Sequence, residues 1–228
     1  MSKITIGRML EDGEPVGDGI EIDEHGPTAE ALRSSTGPLV SNPVTGLRGA
    51  ALETSDDTDG EYSRGLGVLP PNVDGPPEHM HPEIEERFEV LEGEMVVTRD
   101  GRDRYLTAGD EVEIPPGTPH TFRNDSDEVA SFVNEARPPG RLAEVVLTLA
   151  GLAHEGKVND DGLPGPLQSA AMANELGDET VFTSVPPSVQ DVVGSVLGPV
   201  ANALGYEAVY SKYAEEEFWE ERVEQPEL

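Results

Sequence analysis

The apolar positions change period once along the chain, near residue 140. Between His79 and about Ala136, runs of four to seven residues rich in Val, Phe and Ile alternate with turn chemistry. The turns fall at Glu92-Gly93, Asp100-Gly101, Ala108-Gly109-Asp110, Pro115-Pro116-Gly117 and Asn124-Asp125-Ser126. Short strands at such regular spacing predict a mainly β barrel or sandwich. After Arg137-Pro138-Pro139-Gly140 the spacing becomes helical. Leu142, Val145, Val146, Leu149 and Leu152 fall on one helix face, and Gly156 supplies a stop. Pro166 to Leu176 and Pro187 to Leu204 are further predicted helices, the second with Pro199 as an expected kink.

The flanks read differently. Residues 1–40, with stretches such as EDGEPVGDGIEIDEHG, offer little to bury and predict an acidic N-terminal extension of loose or peripheral structure. Ser41 to Gly46 is turn chemistry, and the following residues alternate short apolar pieces with Gly, Pro and Asp, as short strands do. The tail AEEEFWEERVEQPEL reads as acidic and solvated. The expected organisation is therefore an extension over 1–40, a β-barrel over 41–138, and a helical segment with an acidic tail over 139–228, without internal repeats.

Composition narrows the partners. The chain has 228 residues, 46 acidic against 15 basic side chains and a formal net charge of -31. Such a surface repels phosphates and anionic bilayers, so neither nucleic acid nor membrane is an expected partner. Acidic, lysine-poor composition resembles that of proteins from salt-loving archaea, in which molar salt screens surface repulsion over roughly 3 Å. There is no cysteine, which excludes disulfides and thiolate chemistry. With no signal-like N-terminus and no apolar run of membrane length, a soluble, cytoplasmic protein is expected.

The candidate chemistry sits in two segments. In GPPEHMHPEIEERFEVLEG, His79 and His81 are two apart and would point together if the backbone is extended. Glu86, Phe88 and Val90 then share one strand face, so an inward Glu86 needs a cation or hydrogen-bond donors. In GDEVEIPPGTPHTFRN, His120, Phe122 and Asn124 share a face, and antiparallel placement could bring His120 to the others. Neutral imidazoles plus one carboxylate suit Mn, Fe, Co, Ni, Cu or Zn.

These segments resemble the two motifs of the cupin family. His79-x-His81, four residues, Glu86, six residues and Gly93 fit the first motif, although three rather than five residues separate Gly75 from His79. Gly109, Pro115, Gly117, His120 and Asn124 meet every position of the second. The resemblance covers roughly residues 65–136. It implies a double-stranded β-helix, a jelly-roll barrel, that holds one divalent transition metal (Fe, Mn, Ni, Cu or Zn) through His79, His81, Glu86 and His120.

What the resemblance implies about activity divides. One reading is an enzyme acting on a small organic molecule, an oxygenase with a mononuclear metal, in which Glu86 doubles as a proton acceptor; isomerases and lyases of the family use the same ligand set. The other is a metal-stabilised barrel that binds a small ligand without turnover. His25 and His154 read as surface residues. Asn124 reads as a turn cap, and Gly93, Gly109 and Gly117 as backbone devices. Phe88, Phe122 and Val112 read as core. Val189, Val192, Val193, Val196 and Val200 form an apolar stripe expected to pack on the barrel or on a dimer mate, and a homodimer is the expected assembly.

Overall fold

The computed structural model describes residues 2–177, 179–183 and 185–228. The N-terminal part forms β1 (Lys3–Ile6), β2 (Met9–Glu11), β3 (Glu14–Val16), β4 (Ile20–Asp23) and α1 (Pro27–Arg33). Next come β5 (Val40–Ser41), β6 (Arg48–Glu53), β7 (Ser63–Leu69), β8 (Val73–Asp74), β9 (His79–Met80) and β10 (Glu85–Glu92). They are followed by β11 (Glu94–Arg99), β12 (Arg102–Thr107), β13 (Glu111–Ile114), β14 (His120–Asn124) and β15 (Ala130–Arg137). The rest comprises α2 (Leu142–His154), α3 (Pro166–Leu176), β16 (Val181–Phe182), α4 (Pro187–Ala203), a 3-10 turn at Ser211–Ala214 and α5 (Glu216–Glu220).

Two antiparallel sheets carry the architecture. One runs β13-β10-β15-β7-β6-β5; the other runs β12-β11-β14-β9-β16, with β8 pairing β14. The alternation read in the sequence sets which faces meet. In β10, Glu86, Phe88 and Val90 are buried while Glu85 and Glu89 are exposed. With Val112 and Ile114 of β13 they face Met95 and Val97 of β11 and Leu106 of β12 in one core. Phe88, Phe122 and Phe132 stack at tilted angles in that core, centroids 5.2 to 5.6 Å apart. The strand order and the jelly-roll arrangement agree with the expected mainly β fold followed by helices.

Turn chemistry behaves as read. Gly93, Gly109 and Gly117 all have positive φ. Asn124 is buried and caps the next turn: its Oδ1 accepts from the Ser126 N–H at 3.0 Å, and its Nδ2 donates to the Glu128 and Pro70 carbonyls. Gly75, displaced from its motif position, still has a steric role. Its N–H donates to the Phe122 carbonyl at 3.0 Å, and a Cβ there would lie 2.0 Å from that oxygen. Only glycine lets the backbone come this close to β14.

The helices match the predicted bounds closely, and α4 continues through Pro199 to Ala203. Its stripe does not pack on the barrel, however. Gly194 and Gly198 face α3, where added Cβ atoms would meet Ala173 and Asn174. Val189, Val192, Val196 and Val200 are exposed on the other side.

The two chain ends are where the sequence reading fails. Residues 1–40 are not loose, nor is the tail solvated. Ile6, Ile20, Ile22, Leu32 and Leu39 form a second core with Leu66 and Val68 of β7, Leu152 of α2, and Tyr213, Phe218, Trp219 and Val223. Backbone bonds tie the ends together: Leu10 N–H to the Arg222 carbonyl at 2.9 Å and Glu224 N–H to the Arg8 carbonyl at 2.8 Å. Arg8 adds a two-pronged pair with Glu224, and Gln225 donates to and accepts from the Leu39 backbone. The terminal segments thus cover the outer face of the first sheet. Each holds a few well-spaced apolar residues among many carboxylates, so the average composition hid them.

Candidate metal centre

Strand pairing builds the site. β9 and β14 run antiparallel with His79 opposite His120, and opposite residues share a face. His81 follows just after β9, held by the Gly117 N–H, which donates to its carbonyl at 2.7 Å. Glu86 enters from the facing sheet, between Ile114 of β13 and Ala136 of β15. All four expected ligands are buried, between 1% and 8% exposed. One possible ligand atom from each lies within 4.8 Å of all the others.

Hydrogen bonds fix which atoms face inward. Nδ1 of His79, His81 and His120 lies 2.9, 2.7 and 2.9 Å from the carbonyls of Pro77, Glu179 and Thr118. A carbonyl only accepts, so each Nδ1 carries the hydrogen, and each neutral ring turns an Nε2 lone pair toward the cluster. His120 Nε2 and His81 Nε2 lie 2.7 and 3.3 Å from Glu86 Oε2. Despite those distances, all three atoms are buried without a hydrogen bond of sound geometry. Three acceptors converging in a dry space repel one another unless a cation sits among them, and that cation is either a proton or a metal ion. The donor set fits a divalent transition metal.

The titration tendencies follow from this crowding. Burial opposes charge on Glu86, but contacts with His120 and His81 outweigh it and hold the carboxyl far below the usual carboxylate range. Burial, together with His120 and His81, pushes the His79 imidazole down to about 4. Burial also lowers His81, but the adjoining Glu86 carboxylate and the Glu179 carbonyl outweigh it and raise that group. His81 is therefore where a proton would compete with a bound metal.

Sequence reasoning missed the residues around the cluster. Asn134 of β15 donates from Nδ2 to Glu86 Oε1 at 3.0 Å, leaving Oε2 for the cluster. Its alternation with buried Phe132 and Ala136 could have placed it inward. The helical segment also reaches the site. β16 pairs β9 with Phe182 opposite His79, their ring centroids 6.2 Å apart, and Glu179 supplies the carbonyl that orients His81. A backbone carbonyl leaves no trace in residue type. His25 is exposed as expected. His154 is not a surface residue: it is half-buried, with Nε2 3.0 Å from the Ser41 carbonyl and its ring against Trp219.

Residues 65–134 match the family described as Cupin domain, and that stretch holds all four clustered side chains. Residues 65–134 are thus similar to a cupin domain, with a jelly-roll fold and a buried three-histidine, one-glutamate cluster that could hold a metal ion. The chain is 42% identical over 50 residues to quercetin 2,3-dioxygenase of Bacillus subtilis, covering 22% of this chain and 15% of that protein. It is 41% identical over 54 residues to the HTH-type transcriptional regulator PuuR of Escherichia coli, covering 24% of this chain and 29% of that one. The chain thus spans less than a third of either relative.

Among solved structures, a predicted oxalate decarboxylase from Thermotoga maritima is 22% identical, covering 46% of this chain and 95% of that one with a TM-score of 0.42. A polyketide cyclase, RemF, from Streptomyces resistomycificus is 27% identical, covering 46% and 72% with a TM-score of 0.37. Both scores fall below 0.5, so the fold assignment rests on the strand pairing and the family match. Among the described residues, no helix is long and apolar enough to cross a membrane.

Proposed function

We propose that this protein is a metal-dependent enzyme acting on a small organic molecule, an oxygenase in which His79, His81, Glu86 and His120 hold one divalent transition metal inside a barrel spanning residues 41–138. The observation that carries the reading is the convergence of three buried, unpartnered acceptor atoms on one point. A bound divalent metal would supply Lewis acidity and, if redox-active, a means of activating dioxygen. The chain's own residues do the rest. The Pro77, Glu179 and Thr118 carbonyls fix the imidazole tautomers, and Asn134 fixes the Glu86 carboxylate. Phe88 and Phe132 keep water out from one side. Glu86 would serve the metal rather than a substrate proton: Oε1 accepts from Asn134, Oε2 faces the cluster, and a carboxyl held so far below the usual range is a weak proton acceptor.

One observation favours a second reading, a metal-stabilised barrel that binds a small ligand without turnover. Among the described residues, the four cluster members are the only buried His, Asp, Glu, Lys or Arg side chains, so no separate buried acid or base stands beside them. Oxygen-electrode measurements on metal-loaded protein separate the two. Substrate-dependent oxygen uptake that disappears in His81→Ala supports the oxygenase. Ligand binding to loaded protein without consumption of oxygen or ligand leaves the binding barrel.

We further propose a homodimer that uses α4. The exposed row Val189, Val192, Val196 and Val200 recurs at helical spacing in a chain otherwise dominated by carboxylates, which keep copies apart elsewhere. Light scattering in molar salt, chosen because the composition reads as salt-adapted, is expected to give twice the 24.4 kDa chain mass. Val192→Glu with Val196→Glu is expected to give the single mass. A wild type that is already monomeric at all concentrations removes this interface.

A further inference from the structure

The pairing register extends the row of site residues beyond the metal ligands. Phe182 lies opposite His79, His79 opposite His120, His120 opposite Arg99 and Arg99 opposite Arg102. Residues opposite one another in antiparallel strands point to the same face, and neighbouring strands are about 4.8 Å apart. One line of side chains across the second sheet therefore runs from an aromatic ring, through two proposed metal ligands, to two guanidinium groups. In the adjacent row Arg104 lies opposite Val97, which is fully buried, so this is the inner face.

A cavity of about 330 Å³ lies at the arginine end of this row. Arg99, Arg102 and Arg104 line it with Val97 of their own sheet and Val112 of the facing one, so it opens between the sheets where β12 and β13 form their edges. Arg99 spans that gap, donating from Nη1 to the Glu113 carbonyl at 2.8 Å. Asp100 and Asp103 also border the cavity; the Asp103 carboxylate is taken by Arg123 at 2.9 Å and by the Thr98 hydroxyl at 2.6 Å, and Asp100 is an exposed turn residue with positive φ.

The lack of acidic partners for these arginines is the unusual feature. With 46 carboxylates for 15 basic groups, a cation on this surface ordinarily finds a partner. Among the described residues five arginines form no salt bridge, and three of them, Arg33, Arg48 and Arg99, donate to backbone carbonyls instead. The other two are Arg102 and Arg104. A field as negative as this protein's repels anions from its surface, so an anionic ligand needs a local positive entry point. Guanidinium forks match planar or tetrahedral oxyanions with two parallel bonds.

We propose that this cavity binds an oxyanion group, carboxylate or phosphate, of the small molecule on which the metal centre acts, with Arg102 and Arg104 as its main donors and Arg99 between them and His120. The inference rests on the substrate-binding reading of the same barrel and names the substrate class: a small molecule with an anionic end beside the portion presented to the metal ligands.

The test is calorimetric titration of metal-loaded protein, at fixed ionic strength, with succinate, inorganic phosphate and the neutral control succinamide. Wild type is expected to bind at least one anion and not the amide, and the tighter of the two identifies the anionic group. Arg102→Gln with Arg104→Gln, both exposed and outside the core, should weaken that binding by at least about tenfold while leaving metal content and melting temperature unchanged. The proposal is overturned if metal-loaded wild type binds neither anion, or if the double variant binds as well as wild type. Arginine-dependent anion binding by a protein that never takes up metal would instead retire the metal centre and leave this site standing.

Discussion

Glu86→Gln is expected to lower affinity for a divalent metal by more than about a hundredfold, since changes to groups that merely orient a ligand already cost 10–100-fold. The substitution keeps the shape of the side chain and its acceptor toward Asn134, but removes the one negative charge in the cluster. His81 Nε2 and His120 Nε2, now 3.3 and 2.7 Å from that carboxylate, would face a neutral amide. Without the carboxylate the upward influence on the His81 pKa is also lost, so the proton that competes with metal should leave at lower pH. Competition titration with a chromophoric chelator reads the affinity, and NMR of the imidazole protons reads the pKa in metal-free protein. An unchanged metal affinity would show that Glu86 is no ligand. Glu85→Gln, on the exposed face of the same strand, should change neither quantity.

Trp219→Ala should cost about 3–5 kcal/mol of stability, the range for emptying a buried large aromatic site. Trp219 is 1% exposed and donates from Nε1 to the Tyr213 carbonyl at 2.8 Å. Its ring meets Phe218 and His154 edge-on, with centroids 5.0 and 5.7 Å away. These contacts lie in the core that joins the N-terminal strands, α2 and the tail, so their loss should free both chain ends together. Denaturant unfolding at constant high salt gives the number. Tyr105→Ala, at a site 72% exposed, is the control and should stay within about 0.5 kcal/mol. A cost below about 1 kcal/mol for Trp219→Ala would mean that the tail is not part of the core.

The difference between what the sequence disclosed and what it hid has a physical basis. The β10 strand was legible because Glu86, Phe88 and Val90 alternate with charges, and the four cluster residues were legible because type and spacing agreed in two separate segments. The helices showed through their 3.6-residue period. The ends were misread because Ile20 and Ile22 of β4, like Phe218, Trp219 and Val223, are isolated apolar residues in acidic surroundings, and each segment becomes a core only beside the other. Asn134 was overlooked because a polar residue inside a strand reads as solvent-facing. The Glu179 carbonyl and the register linking His120 to Arg99 belong to pairing between distant segments, which local patterns do not contain.

The most direct measurement is the metal stoichiometry of the full chain, purified in high salt without chelator and analysed by elemental mass spectrometry beside His81→Ala. About one equivalent of a divalent transition metal per chain is expected, lost in the variant while circular dichroism shows the fold retained. No metal in the wild type, even after reconstitution with iron, manganese, nickel, copper and zinc, would contradict it.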